Sequence, residues 1–178
     1  MSSERKLSRA EIVLVEDISV AFAVLSLCGS LFIITCYARF RELRTFAFKL
    51  VAILSATDSA NLIFDLISPQ PQDLEAMEAH EIAVTPQCYV QAVGNSAFQL
   101  SSVLWTSAIA MTLYLAVVQR MRPEQTEAFF PWFLVVCWGV PLVLAVLPFI
   151  NSAYGAAGGW CWIVEEQIVW RFIQLYGA

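Results

Sequence analysis

Long uncharged runs dominate the chain, separated by short polar stretches. Residues 18–38 carry no charge, 46–67 are apolar apart from Lys49, Asp58 and Asp65, and 89–118 are again uncharged. So are residues 129–160, most hydrophobic between 132 and 150. A helix needs about 20 apolar residues to cross roughly 30 Å of hydrocarbon, so the pattern predicts membrane spans at 18–38, 46–67, 89–118 and 132–150. An aromatic, amphipathic segment begins near residue 165, with Trp170, Arg171, Phe172 and Tyr176, and reads as the start of a fifth span cut short at Ala178. The first seventeen residues lack the short apolar core and small-residue cleavage site of a secretory signal. The first span is therefore expected to direct its own insertion.

Composition agrees with this pattern. Of 178 residues, 59% are hydrophobic and 14% charged, against about 45–50% and about 25% in soluble domains, and mean hydropathy is +0.67. The fold class expected is an all-α membrane protein.

The net charge of −5 says less than where the basic residues fall. Arg39, Arg41, Arg44 and Lys49 follow the first span and Arg120 and Arg122 follow the third, whereas the second and fourth loops carry none and only Arg5, Lys6 and Arg9 precede the first span. By the positive-inside rule the first and third loops are cytoplasmic, which puts residues 1–17 outside, at the plasma membrane.

The cysteines divide accordingly. Cys28, Cys36 and Cys137 lie within spans, while Cys88 heads the third span and Cys161 sits in the fourth loop within "GGWCWIV". Both of the latter fall on the oxidising side, where disulfides persist; they are either bonded to each other or two free, buried thiols. A bond closing so long a loop would contribute roughly 4 kcal/mol in the chain-entropy account and would fold the fourth loop over the mouth of the bundle.

Polar residues in the spans form stripes. Ser55, Asp58, Asn61, Asp65 and Ser68 recur every three or four positions on the second span, as do Gln91, Asn95, Gln99, Ser102 and Thr106 on the third. Each set occupies one helical face. Polar groups in hydrocarbon are costly, so both faces should point at a shared, partly hydrated interior. Gln91, Asn95 and Gln99 are candidates for an outer ligand site, and Asp58 and Asn61, with Asp65, for a deeper switch or ion site. Interhelical hydrogen bonding that merely holds the bundle together would give the same stripes. The third span, at roughly 45 Å, is long enough to need strong tilt or to project from the membrane.

Three motifs in this order and spacing carry a resemblance: "CWGVPLV" opening the fourth span at Cys137, "WCWI" at Trp160–Ile163, and "WRFIQLYGA" from Trp170. With the third loop "QRMRPEQTEAFFPWF", they resemble the cyclic-AMP-receptor-like G-protein-coupled receptors of slime moulds and other microbial eukaryotes. The similarity covers Leu27 to Ala178 and is more specific in the second half. It implies a Cys88–Cys161 bond, packing and kinking of the fourth span by Trp138, Gly139 and Pro141, and a heterotrimeric G protein facing the first and third loops through Arg39, Arg41, Arg44, Arg120 and Arg122. It also implies seven spans, of which this chain would be a fragment holding four and the start of a fifth. A similar fourth span and loop occur in secretin-like and adhesion receptors, but the short N-terminus favours the cyclic-AMP-receptor-like group.

The small extracellular ligand has candidate contacts in Gln91, Asn95, Gln99, Trp160 and Arg171. A cyclic nucleotide's phosphate calls for Arg or Lys, yet Arg171 is the one cation well placed beside such a pocket, and the second loop is acidic (Asp73, Glu75, Glu78, Glu81). A cationic or neutral ligand fits equally well. The loop cations are also explained by topology and contact with the lipid bilayer alone.

Other classes find little support. Asp58 and Asp65 lie about 10 Å apart along one helix, too far to share a proton as a carboxylate dyad. The single histidine, His80, has no ligand spacing around it, and no phosphate-binding glycine loop occurs. No enzyme activity, cofactor, metal or nucleic-acid partner is expected. The remaining alternative is a four-span transporter, channel or scaffold whose polar stripes line a path.

Overall fold

The computed structural model describes residues 9–67, 69, 73, 76–77, 83–157 and 160–176, with side chains between 18 and 174. His80, the loop acids Glu75, Glu78 and Glu81, Ser68 and the N-terminal cations Arg5 and Lys6 lie outside the described residues, as does the side chain of Arg9.

Four helices are long and apolar enough to cross a membrane. Helix α1 (Arg9–Arg39) begins nine residues before the expected span, because residues 9–17 contain no glycine or proline to stop it. At its far end the Arg44 guanidinium donates to the Ala38 carbonyl at 2.7 Å, satisfying one of the acceptors a helix terminus leaves open. A single 3-10 turn, Arg41–Leu43, then leads to Thr45. The Thr45 hydroxyl caps helix α2 (Phe46–Leu66) by accepting the Phe48 N–H.

Helix α3 (Pro86–Val117) starts earlier than hydrophobicity indicates, with Thr85 as cap and Pro86 in the first turn. That cap chemistry, rather than the apolar run, sets the start. Its 32 residues extend about 48 Å.

The fourth span, α4 (Pro123–Asn151), is helical well upstream of residue 132. Pro123 opens it and the Gln125 side chain accepts the Arg122 N–H at 3.0 Å. At its centre, Val135–Gly139 widens into a π turn directly before buried Pro141. Proline offers no N–H to the carbonyl four residues back and its ring crowds that carbonyl, and a π turn relieves both. A 3-10 turn, Leu147–Asn151, ends the span with Ser152 in the left-handed region.

The chain then departs from an all-helical pattern. Strands β1 (Tyr154–Ala156) and β2 (Cys161–Ile163) pair antiparallel with Tyr154 opposite Ile163, and helix α5 (Ile168–Tyr176) follows.

Helix α1 packs on α2, α2 on α3, and α3 on α4, while the hairpin lies on the head of α3. Two apolar clusters hold this arrangement. One sits beneath the hairpin and joins Cys88, Ala92, Tyr154, Cys161 and Ile163 with Met77 and Ala153. The other lies toward the opposite end, where Leu50, Trp105, Ala108, Phe133 and Cys137 interlock. Outward faces such as Phe22, Leu25 and Phe32 on α1 and Leu142, Val143 and Ile150 on α4 are exposed, as lipid-facing surfaces require. Gly94 leaves room on α3 for a side chain of α2: a Cβ there would collide with the Phe64 ring, which stacks on Phe98 with centroids 5.4 Å apart.

Candidate functional site: a polar pocket under the hairpin

Cys88 and Cys161 form a disulfide across a sequence separation of 73, and both are fully buried. The bond ties β2 to the first turn of α3. One turn further along, Gln91 is 2% exposed. Its side-chain oxygen accepts the Cys161 N–H at 3.1 Å and its amide donates to the Asp65 backbone carbonyl at 3.4 Å.

This roof covers a cavity of about 300 Å³. Asn61 and Asp65 line it from α2, Asn95 and Gln99 from α3, and Trp160, Cys161 and Trp162 from the loop and β2. Asn95 donates to one Asp65 carboxylate oxygen at 2.6 Å and Asn61 to the other at 3.4 Å. The side-chain oxygens of Asn61 and Asn95 are buried without hydrogen-bond partners.

The sequence-derived candidates sort differently in space than along the chain. Asn95, Gln99 and Trp160 come together as ligand-site candidates, and Asn61 and Asp65 join them rather than grouping with Asp58 as a deeper site. Gln91 does not line the pocket, because both ends of its amide are engaged in holding the roof. Arg171 does not line it either. Its Nε donates to the Ile163 carbonyl at 2.8 Å, its guanidinium lies 3.9 Å from Glu165, and it sits over the Trp162 ring at 5.3 Å. Asp58, deeper and half-buried, accepts the Ser102 hydroxyl at 2.6 Å, so the two stripes do meet there.

Three contributors were not legible in the sequence. Trp162 lines the pocket beside Trp160. Gln174 of α5 accepts from the Ser96 hydroxyl at 3.0 Å and the Trp162 indole at 3.1 Å, and donates to the Tyr154 hydroxyl at 3.2 Å. Tyr154 in turn donates to the Ala145 carbonyl at 2.7 Å. The available signal was a lone glutamine in an amphipathic aromatic segment and a Gly-Gly pair between two short β-prone stretches, a hairpin signature.

At the opposite end Arg39, Arg41, Arg44, Arg120 and Arg122 are all exposed, with Arg120 at φ 52° and Arg44 also closing α1. Lys49 lies 3.7 Å from Glu127 and equally close to the Phe130 ring, joining α2 to α4. On α4, Pro141 is buried, and Trp138 meets buried Trp105 edge to face at 6.1 Å. Gly139 makes no close packing, since a Cβ there would meet no atom within 4 Å.

Among known proteins, the family model for the slime mold cyclic AMP receptor matches residues 3–178. The chain is 31% identical over 166 residues to cyclic AMP receptor-like protein A of Dictyostelium discoideum, covering 93% of this chain and 41% of that protein. It is 32% identical over 150 residues to G-protein coupled receptor 1 of Arabidopsis thaliana, covering 84% and 41%. To human G-protein coupled receptor 157 it is 29% identical over 157 residues, covering 84% and 44%. The chain thus spans less than half the length of these relatives. Because the family match takes in all four long helices together with the disulfide-pinned hairpin, the chain belongs to the slime mold cyclic AMP receptor family.

Proposed function

We propose that the chain carries the ligand-sensing part of a G-protein-coupled receptor, with residues 18–178 belonging to a seven-span domain and residues 1–17 outside the plasma membrane. The observation that carries this reading is the pocket roofed by the disulfide-pinned hairpin and lined from α2 and α3. The segregation of basic residues to one end and the disulfide to the other supports the orientation. Coupling to a heterotrimeric G protein is supported by relatives named as G-protein coupled receptors.

In this reading Asn61, Asp65, Asn95, Gln99 and Trp160 contact a small extracellular ligand. Its binding biases a two-state equilibrium of the bundle, as receptors do, with the Asp58–Ser102 contact between α2 and α3 as the element that shifts. Arg39, Arg41, Arg120 and Arg122 face the G protein. Cyclic AMP, which names several relatives, suits this pocket poorly, because among the described residues no basic side chain lines it to meet a phosphate.

The test is ligand-dependent nucleotide exchange on a heterotrimeric G protein by the purified full-length receptor, screened against a library of small metabolites. Asn95→Ala and Gln99→Ala should abolish stimulated exchange while the protein remains folded. Undiminished stimulation in both would reject the pocket as the ligand site.

A further inference from the structure

The electrostatics of the pocket select a class of ligand, an inference that rests on reading the pocket as the ligand site. Asp65 lies in the last turn of α2, which has no basic residue. The carbonyl end of a helix is itself equivalent to about half a negative charge, so a carboxylate there is unfavourable without a cation nearby. Yet the two ion pairs among the described residues join Lys49 to Glu127 and Arg171 to Glu165, and none of the described lysines and arginines lines the cavity. Among the described residues, Asp65 receives neutral amide N–H groups, from Asn95 and Asn61.

Those two amides are oriented by that contact. Having turned their N–H groups to the carboxylate, they leave two buried carbonyl oxygens without donors. Buried acceptors favour a donor, and two of them beside the Asp65 carboxyl favour a positively charged one. The remaining wall is indole: Trp160 is 56% exposed, and Trp162 already holds the Arg171 guanidinium over its ring. Aromatic faces attract cations through the ring quadrupole.

We infer that this pocket binds an organic ammonium group, its N–H protons directed to Asp65 and the side-chain oxygens of Asn61 and Asn95, with its carbon skeleton against Trp160 and Trp162. A bare metal ion is a poorer match. Hard cations take six or more oxygen ligands, and the described residues hold no cluster of three or more acidic, histidine or cysteine side chains. An anion would meet a carboxylate and two carbonyl oxygens.

The experiment titrates the full-length receptor in lipid nanodiscs with n-butylammonium chloride, uncharged 1-pentanol, sodium chloride and inorganic phosphate, reading intrinsic tryptophan fluorescence. The expected result is a saturable change with butylammonium alone, its affinity lowered at least tenfold by Asp65→Asn and severalfold by Trp160→Ala, a substitution at an exposed position that the fold tolerates. An equal response to sodium, or to pentanol, overturns the organic-cation assignment. Saturable phosphate binding that Asp65→Asn strengthens overturns it too, while leaving the pocket as the ligand site. If no probe gives a response that Asp65→Asn, Trp160→Ala or Gln99→Ala alters, both the ligand class and the pocket reading fall.

Discussion

The side-chain oxygen of Gln91 accepts the backbone N–H of Cys161 at 3.1 Å, so α3 grips β2 twice, by a disulfide and, one turn along, by a buried amide. Gln91→Ala leaves that N–H and the Asp65 carbonyl unpaired, a loss of about 1–3 kcal/mol. Removing the disulfide with Cys88→Ser/Cys161→Ser should cost about 2–5 kcal/mol. Since both hold one strand, the combined variant should depart from additivity by about 0.5–3 kcal/mol. Denaturant unfolding of the three variants measures this, and strict additivity would mean that the two ties act on separate units.

Two glycines should behave oppositely. Gly94→Ala drives a methyl group into the Phe64 ring, and overpacking of this kind costs about 1–3 kcal/mol. It should also separate Asp65 from Asn95, since these adjoin Phe64 and Gly94. Gly139→Ala meets nothing within 4 Å and should be neutral or stabilising by up to about 1 kcal/mol through helix propensity. Thermal unfolding of both variants decides; equal destabilisation would contradict the packing described.

Ser102→Ala removes the donor 2.6 Å from Asp58 and leaves a half-buried acceptor without it, a loss of about 1–3 kcal/mol. If this contact is the shifting element, ligand-independent nucleotide exchange should change severalfold and Ser102→Thr should restore it. A loss of thermal stability with unchanged basal exchange would make the contact purely structural.

Tyr154 provides a pH test outside the spans. Burial pushes its phenol above the ordinary value, against hydrogen bonds involving Ser96 and Gln174 that lower it. The folded protein therefore holds the neutral form, and stability is full below the unfolded-state pKa of about 10 and declines as pH rises past it. Unfolding midpoints between pH 7 and 11 should fall at the alkaline end in the parent and fall less in Tyr154→Phe, whose neutral-pH stability is lower by about 1–2 kcal/mol from the lost bond to Ala145.

Much of the helical frame was readable along the chain because hydrocarbon imposes a length and an apolar composition that leave little choice. The runs around Leu25, Ala52, Leu104 and Leu144 each lie in a long helix. That the polar stripes of α2 and α3 face each other could be anticipated from their three- and four-residue spacing, though not that Asp58 would meet Ser102. Helix starts were less legible: Thr85–Pro86 and Pro123 override hydrophobicity, since caps and proline decide where backbone N–H groups are left unbonded.

The site itself was decided by tertiary structure. Period alone cannot say that Gln91 faces the Cys161 backbone while Asn95, one turn on, faces Asp65, or that Arg171 folds onto Ile163 and Glu165. Those outcomes depend on the height at which the hairpin docks on α3 and on the packing of the Phe64 ring against Gly94. The sequence determined that two polar faces exist and must be satisfied away from lipid. Which groups satisfy one another, and which oxygens are left for a ligand, follows from distances between segments far apart in the chain, because hydrogen bonds act only over about 3 Å.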